Sequence, residues 1–514
     1  MADLFRPVAV TGNPVVDSLL LGGAWNATTL TYAFKAQDID ANGIDDFDEG
    51  DWKEFYKEIY DTVSGFANLD FVEGEVARAQ LIQRLDAGGG GESGTPAPGV
   101  EWLETAVGIN PESVAGSAAA VRLGTFSETW LHEIGHSLGL NHPHDGDVGK
   151  LPGVVGPGDF GTGNLNSQIY TVMGYTFAFW GEDNPFTPQH DENTALNAQP
   201  GSFGAIDIAT LQHLYGARAH KTGNDVYRFS DDVDANRGYT TIWDTGGVDT
   251  ITYGGSSAAK IDLRAATLKA EIGGGGWLST SETLTGGFTI ANGVSIENAK
   301  GGSGDDFLIG NGGANRLEGG RGADVMSGGL GNDIYVTDGR DTIEEGAGGG
   351  TDKVLSSASH SLGAQIEHLR LLGNAALDGT GNALANVITG NGGANILSGE
   401  GGKDVLIGGG GADTFLFRTS PGTGNVDHIR DFSLADDVIA LSANVFSALT
   451  VGSLAASAFK LVSAGPLDAD DRVLYDRDTG MVSYDVDGSG AGKAVTLAVI
   501  DTKVALSVAD FLVV

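Results

Sequence analysis

The chain has 514 residues, 82 of them glycine, about one in six and roughly twice ordinary usage. It carries 29 Lys plus Arg against 68 Asp plus Glu, a formal charge of −39, and no cysteine. These figures argue against a disulfide framework, a thiolate nucleophile and a nucleic-acid partner, whose phosphates such a surface repels. With 41% apolar residues, no three-residue glycine period and no apolar run of bilayer length, disorder, collagen and a membrane span are also excluded.

Length predicts about two to four domains. At the N-terminus Asp17 interrupts the only apolar stretch, 15–21, so no cleaved leader of the usual kind is expected. Taken alone, that points to the cytoplasm. Thr29–Phe34 alternates and is rich in β-formers, which predicts a strand. Asp38, Asp40, Asn42 and Glu49, with Gly43 at position six, match an EF-hand loop. A calcium loop and a solvated acidic insertion both fit that segment. Trp52–Phe66 places Phe55, Ile59, Val63 and Phe66 at helical spacing. Residues 87–99 read as a glycine-rich loop. A second helix is expected over 125–140, opened by a capping box of Thr125 and Glu128, and a third over Ala205–Tyr215, ended by Gly216.

The second helix carries the chemistry. His132 and His136 stand four residues apart, so both imidazoles leave one face, while Leu131, Ile134 and Leu138 supply the buried stripe. Gly139 lets the chain leave the helix with positive φ and brings His142 back towards the other two. Three neutral imidazoles hold Zn²⁺ and leave a position open for water. Glu133 lies next to the first ligand and can take a proton from that water, a set suited to acyl hydrolysis. His144 and Asp145 follow, read as an exposed loop, with tuning of the site as the alternative.

After about residue 220 the helices stop and a nine-residue period appears, over 301–336 and again over 390–416, with a looser copy at 381–389. Each copy is a glycine-rich turn of six residues and a short strand that buries its central residue, such as Leu308, Leu317, Met326 or Tyr335. Two copies make one coil of a parallel β-roll. At position six Asp306, Asp324, Asp333, Asp404 and Asp413 join backbone carbonyls in an oxygen cage suited to calcium. Asn315, Asn386 and Asn395 stand there in weaker copies. Residues 337–380 read as further β coils without good calcium sites. A flexible glycine-rich linker, the alternative, needs neither a fixed period nor a recurring apolar residue.

The run HEIGHSLGLNHP, His132 to Pro143, resembles the zinc motif of the metzincin metalloproteases, and the proline is typical of their serralysin branch. The segment 170–175 resembles the family's methionine turn. The resemblance implies that Met173 floors the zinc site, and that Tyr175 is a further, reversible zinc ligand that swings away to hydrogen-bond the oxyanion. Residues 243–249 resemble the family's first calcium site in its C-terminal domain, with carboxylates from Asp244 and Asp249 and carbonyls from Gly246 and Gly247. In the repeats the family pattern makes positions two, four and six ligands: Gly302, Gly304 and Asp306; Gly320, Gly322 and Asp324; Gly329, Gly331 and Asp333. The end, Asp510 to Val514, is similar to the uncleaved C-terminal signal of type I secretion substrates, which replaces the missing leader.

The resemblance therefore implies a multidomain α+β protein. A metzincin-like α/β catalytic domain would cover 1–217, with 1–25 as an N-terminal segment. A calcium-binding RTX β-roll would cover 218–420, and a β-rich region with the secretion signal 421–514. It further implies a secreted zinc endopeptidase with one catalytic zinc and several structural calcium ions, acting as a monomer on protein or peptide substrates. The type I secretion apparatus and a small protein inhibitor are its other expected partners. The rivals are a calcium-loaded surface or adhesion protein with a vestigial catalytic domain, and a zinc hydrolase of non-peptide esters or amides.

Overall fold

A computed structural model describes residues 4–36, 52–87, 90–95, 102–109, 127–145, 148–176, 200–232, 238–283 and 286–514. The acidic loop 38–49 and the capping residue Thr125 lie outside them. The chain forms two compact units, 1–298 with 302–304, and 299–301 with 305–514. The expected boundary at 217 falls inside the first unit and that at 420 inside the second.

In the first unit a sheet is built from β3 (Thr29–Phe34), β4 (Asp70–Glu73), β5 (Leu81–Ala87), β6 (Gly90–Ser93) and β7 (Leu103–Ile109), in the order β4-β3-β5-β7-β6. All pairs are parallel except β6, which runs antiparallel to β7 as the edge strand. The helix α2 (Trp52–Phe66) buries the expected stripe, and Gln83 on β5 donates to the hydroxyl of its Tyr60 at 2.7 Å. Trp52 stacks on Trp130 of α3 (Ser127–Ser137), with ring centres 5.3 Å apart. Leu131, Ile134 and Leu138 are buried as their spacing predicts. The helix α4 (Ala205–Tyr215) is buried on most of its faces, which is why it shows no amphipathic stripe.

The N-terminal segment clamps the end of α3. Here β1 (Phe5–Pro7) pairs antiparallel with β2 (Gly23–Trp25), and α1 (Pro14–Asp17) lies between them. Trp25 donates to the Ser137 carbonyl at 2.9 Å, the Asn141 N–H donates to the Leu19 carbonyl at 2.9 Å, and Leu20 bridges to Leu140. Gly139 has φ +100°, and a Cβ there would stand 2.9 Å from the Gly23 carbonyl oxygen. Both conformation and space require glycine at this exit turn. The rest of the first unit is β-rich, with Thr250–Tyr253 parallel to Val226–Phe229 and Gly286–Ile290 parallel to Gly238–Ile242.

In the second unit each nonapeptide is a turn and a short strand. Phe307–Ile309 pairs in parallel with Val325–Ser327, and Arg316–Glu318 with Ile334–Thr337, so each strand lies beside the one two repeats on. The second block behaves alike, Val387–Thr389 against Val405–Ile407 and Ile396–Ser398 against Thr414–Phe417. Leu308, Leu317, Met326, Tyr335, Leu397, Leu406 and Phe415 at position eight are fully buried. Each contributes roughly 1.5–3 kcal/mol by leaving water. The segment 337–380 continues the coils through Lys353–Ser356 and His368–Leu371. The last strand, Phe511–Val513, lies parallel to Val438–Leu441. The chain is thus strand-rich with a long parallel sheet, and no helix among the described residues is long and apolar enough to cross a membrane.

Candidate metal centres

His132 and His136 project from α3, and the turn at Gly139 returns His142 to them. The His142 Nε2 lies 3.1 Å from His132 Nε2 and 3.0 Å from His136 Nε2. Each Nδ1 has its own acceptor: the Val172 carbonyl at 2.8 Å, the Leu140 carbonyl at 2.9 Å, and Asp145 Oδ2 at 2.5 Å for His142. Each ring proton therefore sits on Nδ1, and three bare Nε2 lone pairs converge. Burial pushes the first two imidazoles down, His132 to about 4 and His136 to about 3, so they are neutral. Converging lone pairs repel unless a cation stands among them. Ligands of a tetrahedral zinc are about 3.3 Å apart, so the donor set fits that ion.

Around this centre the other expected residues are brought together. Glu133 is buried, and burial, helped by Glu92, raises its carboxyl to about 7. The Tyr175 hydroxyl lies 2.8 Å from His142 Nε2, and burial raises its pKa. Met173 is fully buried against α3, its sulfur 2.7 Å from where a Cβ on Gly135 would stand. Glycine inside the motif is therefore a packing requirement.

Three further residues support the site, of which the sequence raised only Asp145, as the alternative that it tunes the site. Asp145 lies on an exposed loop, as expected, yet its carboxylate orients His142. Asp145→Ala is expected to lower zinc affinity by about 10- to 100-fold, measured by competition with a chromogenic chelator. Asp207, fully buried on α4, accepts from Thr171 Oγ1 at 2.6 Å and from the N–H groups of Val172 and Gly204 at 2.8 and 2.9 Å. It thereby anchors Val172, whose carbonyl holds His132. Lastly, a Cβ on Gly91 of β6 would stand 2.6 Å from Glu133 Cγ and 2.9 Å from Thr129 Cγ2. The edge strand touches the helix because that position has no side chain.

The acidic residues form a second kind of site. At position six each backbone N–H donates to the carboxylate one coil on: Asp306 to Asp324 at 2.8 Å, Asn315 to Asp333 at 2.7 Å, Asn386 to Asp404 at 2.7 Å and Asn395 to Asp413 at 2.9 Å. The ladder runs past the regular copies, from Asp324 to Asp341, Asp333 to Asp352, Asp404 to Asp427 and Asp413 to Asp437. In the first unit Asp225 donates likewise to Asp249, and Asp249 to Glu297. Asp225, Asp244 and Asp249 each bring a carboxylate oxygen within 4.8 Å of the others. One oxygen of Asp324, Asp333, Asp341, Asp352, Asp404 and Asp249 is buried without a hydrogen-bond partner. Buried anionic oxygens of this kind fit a hard cation.

The named glycines fall into two classes. Gly246, Gly247, Gly320, Gly322, Gly329 and Gly331 have positive φ. Gly302 and Gly304 do not, but a Cβ there would stand 2.4 and 2.2 Å from the carbonyl oxygens of Gly255 and Ser257. Within 337–380, read from the sequence as coils without good calcium sites, Asp341 and Asp352 carry the same ladder. From Asp352 the ladder continues to Glu367 at 2.8 Å. The signal that finds Asp225, Asp352, Glu367, Asp427 and Asp437 is an acid two residues before a buried apolar side chain, as in Asp352 before Val354 and Asp427 before Ile429.

Comparison with known proteins finds one family model and several curated relatives. Residues 300–335 and 380–415 match the model of the RTX calcium-binding nonapeptide repeat, in four copies. The chain is 36% identical over 198 residues to Serralysin C of Dickeya chrysanthemi, covering 35% of this chain and 36% of that protein. It is 34% identical over 199 residues to Metallopeptidase AprA of Pseudomonas marginalis, covering 37% and 38%. It is 38% identical over 205 residues to Serralysin of Photorhabdus laumondii, covering 37% of each. The match thus spans less than two fifths of these relatives' length.

Proposed function

We propose that the protein is a secreted, serralysin-type zinc endopeptidase that hydrolyses peptide bonds in proteins and is stabilised by calcium. The observation that carries the reading is the convergence of three bare Nε2 atoms, each with its Nδ1 held, beside the buried Glu133. His132, His136 and His142 would hold the zinc, with Tyr175 as a reversible fourth protein ligand and Met173 as the floor. Zinc supplies the Lewis acidity that polarises a water and a carbonyl. Glu133 accepts the proton of the attacking water and returns it to the leaving amine; a carboxyl raised towards neutrality suits both transfers. Tyr175 keeps its proton at neutral pH, so its hydroxyl can donate to the oxygen on which charge develops.

The edge strand β6 offers an extended peptide backbone hydrogen bonds beside Glu133. Gly91→Val is expected to displace Glu133 and cost about a hundredfold in hydrolysis, with zinc content unchanged. Equal loss of zinc would show that the strand supports the ligands instead.

The proposed division is a metzincin-like domain to residue 217, a calcium-binding roll over 218–420, and a β-rich region over 421–514 that ends in a type I secretion signal. Asp244, Asp249, the position-six carboxylates and the carbonyls of Gly246, Gly247, Gly302, Gly304, Gly320, Gly322, Gly329 and Gly331 are the proposed calcium ligands. The experiment is metal analysis with casein hydrolysis. One zinc per chain with hydrolysis supports the protease, and zinc or calcium without hydrolysis supports the vestigial adhesion protein.

A further inference from the structure

We propose that Asp333, Glu345 and Asp352 form a calcium site that closes the first repeat block, with Glu345, which belongs to no nonapeptide, as its third carboxylate. The inference rests on the calcium reading of the roll and adds a ligand that the repeat pattern does not contain.

The coil that holds it is irregular. Arg316 pairs with Ile334, eighteen residues on, whereas Ile334 pairs with Lys353, nineteen on. Between these strands the chain passes through Thr342–Ile343, parallel to Val325–Ser327, and the turn that follows carries Glu345. Its Oε1 accepts from the hydroxyl of Tyr335, whose ring is fully buried, and that hydroxyl accepts from the Gly328 N–H at 2.7 Å. This relay fixes the Glu345 carboxylate and leaves Oε2 buried with no hydrogen-bond partner. Asp333 uses Oδ1 for the Asn315 N–H, and Asp352 uses Oδ1 for the Asp333 N–H at 2.8 Å. Both side chains are almost wholly buried, 1% exposed each, and in both Oδ2 has no partner. One carboxylate oxygen from each of the three lies within 4.8 Å of the other two.

Three carboxylates held this close, each with an unsatisfied buried oxygen, repel one another strongly without a cation. The donor set is oxygen only, which selects a hard ion, and its irregular geometry suits calcium's flexible shell better than magnesium's octahedron. A carbonyl is also at hand. A Cβ on Gly349 would stand 2.8 Å from Glu345 Oε2 and 2.9 Å from the Gly329 oxygen, so both atoms face the same small space. Bound there, calcium would tie the turn after Thr342–Ile343 to the last regular turn of the block.

The test is calcium binding by the full-length chain, stripped with chelator and titrated calorimetrically. Glu345→Gln keeps the shape and the hydrogen bond to Tyr335 but removes the charge. It is expected to bind one calcium ion fewer than the unmutated chain, or to bind one about tenfold more weakly, with the other sites unchanged. An identical count with identical affinities would overturn the inference while leaving the calcium roll intact. An unmutated chain that bound no calcium would overturn both. A second measurement uses terbium with tyrosine excitation. Tyr335→Phe retains all three carboxylates and should lose part of the sensitised emission at equal terbium binding, whereas unchanged emission contradicts a cation at Glu345. That readout decides the matter even if Glu345→Gln does not fold.

Discussion

A Glu133→Ala chain is expected to retain one zinc ion and to lose hydrolysis of casein by about a thousandfold or more. The two halves of that result have separate causes. The imidazoles are oriented by the Val172 and Leu140 carbonyls and by Asp145, none of which touches residue 133 through those bonds. Zinc should therefore stay. The carboxylate supplies the proton acceptor, and nothing else described at the site duplicates it. Glu133→Gln, which preserves volume and removes only the base, should show the same loss, so a cavity beside α3 is not the reason. His136→Ala provides the contrast, with zinc and hydrolysis lost together. An alanine variant that hydrolysed casein at the original rate would remove Glu133 from the mechanism.

The proposed zinc ligands were legible in the sequence because they are local. Two histidines one helical turn apart, a glycine that must reverse the chain and a third histidine lie within eleven residues, and helix geometry alone predicts that they meet. The supports other than Asp145 were not legible, because they arrive from elsewhere in the fold. Val172 and Asp207 come from a turn and a helix far along the chain, and Gly91 from an edge strand whose composition reads as a loop. The roll divides in the same way. Where the coil length is regular, the nine-residue period predicted each buried residue and each position-six acid. Where it drifts, the period fails: the ladder steps are 18 residues from Asp306 to Asp324 but 17 to Asp341, 19 from Asp333 to Asp352 and 23 from Asp404 to Asp427. Turns absorb the added or missing residues, and at Asp352 and Asp427 what persists is an acid two places before a buried apolar side chain, whereas Ile343, two places after Asp341, is only half-buried.

Removal of calcium should therefore unfold much of the roll, and acid should partly replace the ion. In the cation-free chain Asp324, Asp333, Asp341, Asp352 and Asp404 each have one oxygen satisfied by a backbone N–H and the other buried with nothing to neutralise it, and most of the charge of −39 remains unopposed. Burial and neighbouring carboxylates raise Asp333 and Asp413 to about 6 from an ordinary 3.8, and raise Asp324 and Asp404 in the same direction. A carboxyl whose folded pKa lies above its unfolded one favours the folded state when protonated. That contribution is fully present below about pH 4 and is lost as pH rises through about 6. Cation-free protein should thus melt at a higher temperature at about pH 5 than at about pH 8. Calcium needs the deprotonated ligands, so protons compete with it, and the rise in melting temperature produced by millimolar calcium should be largest at about pH 8 and smaller at about pH 5. Circular dichroism of the full chain, with chelator and with calcium at each pH, measures both trends. Strand signal that survives chelation at pH 8, or a calcium effect that grows on acidification, would show that the buried oxygens are satisfied by something other than a bound cation.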